Sequence, residues 1–111
     1  MTPGHARRVP PSPVVTGSGV DHVRLAYDYL DAGDLDGYGS LLHSGGALGA
    51  DLEHPRAPGT RHHIVRIVAD GDCVVAIGHL APQQQEFVDV FTLSAEGMLR
   101  ACRRYYGTAP F

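Results

Sequence analysis

The stretch Glu86-Phe87-Val88-Asp89-Val90-Phe91-Thr92-Leu93 reads as a β-strand from its β-branched and aromatic residues, and the reading of its neighbours follows from it. Before it, Ala81-Pro82-Gln83-Gln84-Gln85 reads as a five-residue loop that pairs Leu80 with Glu86 and leads back into a strand over Cys73 to Leu80. Asp70-Gly71 is a hairpin signal, and His62 to Val68 ahead of it alternates and is β-branched. After it, Ser94-Ala95-Glu96-Gly97 turns the chain into a last strand from Met98 to Tyr106. Four strands joined by short turns form an antiparallel meander.

Helices precede the meander. Ser18-Gly19-Val20-Asp21 has the form of a capping box, and the apolar stripe Val20, Val23, Tyr27 and Leu30 runs on to a stop at Gly33. Asp34 caps a shorter helix carrying Leu35, Tyr38, Leu41 and Leu42, which Gly37 and Gly39 weaken by about 1 kcal/mol each. Residues 1–18 are rich in proline and lack periodicity, so they read as a flexible arm, with a domain over 19–107 and a tail at 108–111. The segment from Ser44 to Thr60 is loop-like, with only Leu52-Glu53-His54 briefly extended. Helices followed by a meander imply an α+β domain with the helices on one face of a curved sheet.

With 111 residues the chain has room for one domain, and 43% hydrophobic with 19% charged residues is ordinary globular usage. Its nine basic residues are all arginine and are scattered, and the net charge is -3, which argues against nucleic acid as a partner. The apolar runs, such as Val74 to Ile77, are far too short to cross a bilayer. Pro10, Pro11 and Pro13 stand where a signal peptide needs its apolar segment, so the expected compartment is the cytoplasm. There, Cys73 and Cys102 stay reduced and serve as core or pocket wall.

Three segments resemble the nuclear transport factor 2-like superfamily, in its branch of SnoaL-like polyketide cyclases and ketosteroid isomerase. They are Tyr29 to Gly37, similar to the family's first helix-turn-helix; Glu53-His54-Pro55, similar to its first strand; and Phe87 to Leu93 with Glu96 to Leu99 and Arg103 to Tyr106, similar to its closing hairpin. The resemblance implies a cone-shaped, curved antiparallel sheet wrapped around helices, with an apolar pocket at its mouth, often in a homodimer. The family's third helix is missing, since only Arg56 to Arg61 separates Pro55 from His62.

Asp89 shares strand parity with Phe87 and Phe91, so it points to the side that carries two aromatic rings. Desolvation there raises a carboxyl pKa, and a protonated acid donates to a developing enolate. Ketosteroid isomerase is a standard example of that device, and the resemblance places Asp89 at its oxyanion-hole acid. The same parity also allows Val88 and Val90 to fill the core, with Asp89 facing solvent or a dimer partner. The five-residue loop sets His79 opposite Phe87 and diagonal to Asp89, about 7 Å away. A register slip of one residue would put the two on opposite faces.

The resemblance also implies a general base on the first strand, where His54 stands in the acid's place with Asp51 and Glu53 nearby. The isomerase's phenol aligns with Ala26, leaving that role to Tyr27 or Tyr29. Tyr27, Phe87, Phe91 and Cys102 are the expected pocket residues. His62-His63 invites a metal, but neighbours on a strand face opposite ways and cannot share one ion, and no cofactor motif is present. The expected function is therefore acid–base chemistry on a carbonyl-bearing, apolar metabolite, of the isomerase or cyclase type. The alternative is a non-catalytic ligand-binding or dimerisation module of the same fold.

Overall fold

The computed structural model describes residues 11–44, 47–48, 52 and 59–107. Two helices, α1 (Pro13–Ala32) and α2 (Leu35–Gly39), precede four strands, β1 (Arg61–Asp70), β2 (Cys73–Ala81), β3 (Gln85–Leu93) and β4 (Leu99–Tyr106). The strands form one antiparallel sheet in the order β1-β2-β3-β4. This is the expected α+β architecture, a curved sheet with α1 lying on its concave face.

Helix α1 starts at Pro13, so the proposed boundary at residue 18 falls inside it. Proline fits the first helical position because its φ is preset and its missing N–H has no intrahelical partner there. Ser12 caps the end by accepting from the Val15 N–H at 3.3 Å. Ser18, expected as the cap, is interior. Two contacts fix this early part of α1 to the sheet turns: the Thr16 hydroxyl donates to the Gly71 carbonyl at 2.8 Å, and His22 Nδ1 meets the Gly97 carbonyl at 2.8 Å. The helix ends where expected, at Gly33 in the left-handed region (φ 72°). Asp34 caps α2, its Oδ1 accepting from the Gly37 N–H at 2.8 Å.

Two irregularities curve the sheet. In β1 the register shifts between Ile64 and Arg66, so Ile64 and Ile67 both face inward while Val65 is 67% exposed. Simple alternation would have sent Ile67 outward. A second shift, between Thr92 and Leu93, brings Leu93 opposite Leu99. The concave face then buries Val74, Ala76 and Leu80 of β2 with Phe87, Phe91 and Leu93 of β3 against Val23, Ala26 and Tyr27 of α1. Each large side chain buried in this way contributes about 1.5–3 kcal/mol. Leu52 belongs to the same core and has helical backbone, not the extended form expected of it. Of Arg56 to Arg61, the interval that leaves no room for the family's third helix, Arg61 opens β1 and residues 56–58 lie outside the described residues, as do Glu53, His54 and Pro55.

Candidate functional site

Phe87, Asp89 and Phe91 all face the concave side and are 1%, 0% and 0% exposed, which settles the parity of β3. Asp89 pairs with Ala76 on β2 and with Arg104 on β4. That register brings the guanidinium onto the carboxylate: Arg104 Nε donates to Oδ1 and Nη2 to Oδ2, both at 2.7 Å. From α1 the Tyr27 hydroxyl donates to Oδ2 at 2.5 Å. Asp89 thus accepts three hydrogen bonds, the pattern of an ionised carboxylate. A protonated Asp89 donating to substrate does not fit this arrangement.

Burial is the largest influence on Tyr27 and the Asp89 carboxylate the next, and together they push its phenol well above the ordinary tyrosine range. For Arg104, burial works against the charge. The hydrogen bonds and charge of Asp89 outweigh it, so the guanidinium is held above its ordinary value. The Phe87 ring lies 4.3 Å from the guanidinium carbon, and Tyr106 lies 5.9 Å away. Tyr106 adds a weaker side-chain interaction that also favours the charge, and Arg104 Nη1 is buried with no close hydrogen-bond partner among the described residues. An orphaned donor of this kind costs about 1–3 kcal/mol.

Beside this cluster stands a second pair. Asp31, in the last turn of α1, accepts from the His62 backbone N–H at 2.9 Å and from its Nδ1 at 2.7 Å. The His62 side chain is completely buried, and its ring lies 4.7 Å from that of Tyr27 and 5.6 Å from that of Phe87. With Asp31 as acceptor, Nδ1 carries the proton and Nε2 is the basic nitrogen of the neutral ring. His63 faces the other way, as strand alternation requires.

His79 does not join the site. The loop is only Pro82-Gln83-Gln84, because Ala81 and Gln85 extend the strands and Gln84 takes φ 61° to close the turn. Leu80 therefore pairs with Gln85 and His79 with Glu86. This one-residue shift puts His79 on the outer face, stacked on His63 with ring centroids 4.7 Å apart. Asp51 and His54 lie outside the described residues. Tyr27, Phe87 and Phe91, expected to line a pocket, are packed in the core around Asp89, and Cys102 pairs with Phe91 on the same face. Among the described residues no group of three or more His, Cys, Asp or Glu is placed to hold a metal.

Sequence reasoning missed Arg104, His62 and Asp31 as site residues. Counting back from the Ser94–Gly97 turn sets Arg104 near Asp89, so that pair had a signal. The Asp31–His62 contact joins a helix end to a strand start and had none.

No protein-family model matches the chain, and no curated protein sequence does. Solved structures show the fold. A SnoaL-like protein of unknown function from Burkholderia thailandensis superposes with TM-score 0.66 at 15% identity, over 89% of this chain and 100% of that one. A candidate ketosteroid isomerase from Kribbella flavida gives TM-score 0.63 at 16% identity, over 86% and 82%. The chain therefore has the SnoaL-like and ketosteroid isomerase-like fold. No helix among the described residues is long and apolar enough to cross a membrane.

Proposed function

We propose that the protein takes an apolar, carbonyl-bearing small molecule against the concave face and acts on it by acid–base chemistry of the isomerase or cyclase kind. The observation that carries this reading is the buried Asp31–His62 pair, 2.7 Å apart beside the Asp89–Arg104–Tyr27 cluster. In this reading the imidazole removes a proton from the carbon next to the carbonyl. The C–H electrons form the enolate, and the proton returns from the imidazole to another carbon. Asp31 fixes the tautomer and stabilises the imidazolium. Asp89 is a positioning residue that holds Arg104 and Tyr27, while Phe87, Phe91 and Cys102 line the site. His54 and Asp51 remain candidates for the base through the family resemblance alone.

The test is exchange of the methyl protons of 2-acetylnaphthalene for deuterium, followed by NMR. Wild type should catalyse exchange, and His62→Gln should lose about 10²-fold of it. Binding without exchange in the wild type favours the second reading, a non-catalytic binding module. The internal satisfaction of Asp89 by three donors supports that alternative.

Two further assignments belong to the proposal. The outer sheet face exposes Val65, Val68, Ile77 and Tyr105, a surface suited to a homodimer and tested by sedimentation. Cys73 and Cys102 form no disulfide and stand on opposite sheet faces, which suits a reducing cytoplasm.

A further inference from the structure

We propose that His63 and His79 form a binding site for a divalent transition-metal ion of the zinc or copper kind on the outer face of the sheet. The site is on the opposite side of the sheet from Asp89 and His62, and it is independent of the small-molecule reading above. His63 of β1 and His79 of β2 are direct partners in the antiparallel register, with ring centroids 4.7 Å apart and planes 23° from parallel. His63 is exposed and His79 half-buried, so both rings are open to solvent. Glu86 stands opposite His79 on β3, and one row across three strands thus carries two imidazoles and a carboxylate. Among the described residues none of these three side chains has a hydrogen bond or an ion pair. Their lone pairs are available, whereas the rings of His62 and His22 are engaged by Asp31 and by the Gly97 carbonyl.

Adjacent His62 and His63 cannot share an ion, but the partner that His63 needs comes from the next strand. An imidazole nitrogen sits about 2.0–2.1 Å from Zn²⁺, and a tetrahedral angle sets two such nitrogens about 3.4 Å apart. Opposed residues on paired strands have Cβ atoms about 4.5–5.5 Å apart, a spacing from which two imidazoles reach one ion by tilting out of the stack. Gly78, next to His79, lets the β1 backbone come close, since a Cβ there would meet the His63 carbonyl. That close approach, with the register shift just beyond it between Ile64 and Arg66, holds His63 against His79. Imidazole suits zinc, copper and nickel, whereas magnesium and calcium take oxygen ligands. Two protein ligands leave the remaining positions to water, and the Glu86 carboxylate in the same row compensates part of the ion's charge. Because the ion bridges two strands that meet only in the folded chain, its binding stabilises the fold.

The experiment titrates the full chain with zinc chloride at neutral pH by calorimetry, with imidazole nitrogen NMR and thermal unfolding alongside. Zn²⁺ should shift the ring nitrogens of His63 and His79 and raise the melting temperature, while magnesium chloride at the same concentration does neither. His63→Gln and His79→Gln should each lower the Zn²⁺ affinity by about tenfold or more and remove the thermal shift. His43→Gln, at an exposed position outside the row, should keep both. The wild-type NMR shifts test the site even if a variant does not fold. Ring nitrogens of His63 and His79 that stay unmoved at saturating Zn²⁺, or an affinity unchanged in both variants, overturns the proposal. Either result leaves the small-molecule reading standing, because that reading concerns the other face.

Discussion

Asp89 and Arg104 face each other across the β3–β4 pairing and form a bidentate ion pair in which neither side chain has exposed surface. Removing one partner of such a pair strands a buried charge, so Asp89→Leu alone should cost about 3–5 kcal/mol in urea denaturation. The double variant Asp89→Leu/Arg104→Met removes both charges and should recover most of that loss. If the double variant is as unstable as the single one, the pair has a structural value beyond its mutual charge compensation.

Tyr27 gives a pH dependence of known sign. Its phenol is raised in the folded protein, by burial first and by Asp89 second. A raised phenol favours the neutral folded form, so its contribution is complete below the unfolded value of about 10 and is lost progressively as pH rises above it. Absorbance at alkaline pH should show the Tyr27 phenol ionising only with unfolding. Tyr27→Phe should remove that coupled phase. An unchanged titration curve in Tyr27→Phe below the unfolding transition is expected; loss of an early, reversible phase in that variant would contradict the buried hydrogen bond.

At Gly78 the packing leaves no room for a side chain. A Cβ there would run into the His63 carbonyl, a backbone atom next to the β1 bulge. Gly78→Ala should therefore destabilise by about 1–3 kcal/mol, whereas Gly17→Ala, at an exposed position inside α1 where nothing lies within 4 Å, should stabilise by about 0.5–1 kcal/mol. Thermal unfolding of the two variants makes the comparison, and similar melting temperatures would show that β1 can move aside.

The elements that were legible are those whose signal is local. Alternation and turn residues placed all four strands to within a few residues, and Gly33 and Asp34 marked the helix junction. Parity put Asp89 with Phe87 and Phe91, one of the two placements the sequence allowed. What was lost depended on a single residue of register. Gln84 at φ 61° shortens a loop that reads as five residues, and His79 turns from the inner face to the outer. The helix start was misjudged because Ser18-Gly19-Val20-Asp21 copies a capping box, while the true cap, Ser12, sits among prolines that read as a linker. The Asp31–His62 contact is tertiary, and no local spacing encodes it.

That contact also makes the last prediction. Asp31 accepts both the backbone and the ring N–H of His62, so it ties the end of α1 to the start of β1 and fixes the imidazole in one tautomer. Asp31→Asn keeps one acceptor oxygen and offers an amide N–H where the ring N–H needs a partner. It should cost about 1.5–3 kcal/mol of stability, as loss of hydrogen bonds to a charged group does. If His62 moves protons, the same change should reduce methyl-proton exchange in 2-acetylnaphthalene by about 10²-fold with binding little altered. If Asp31 is only a staple, stability falls while the exchange rate per folded molecule stays the same. The two measurements on one variant thus separate the proton-relay role of the pair from its structural one.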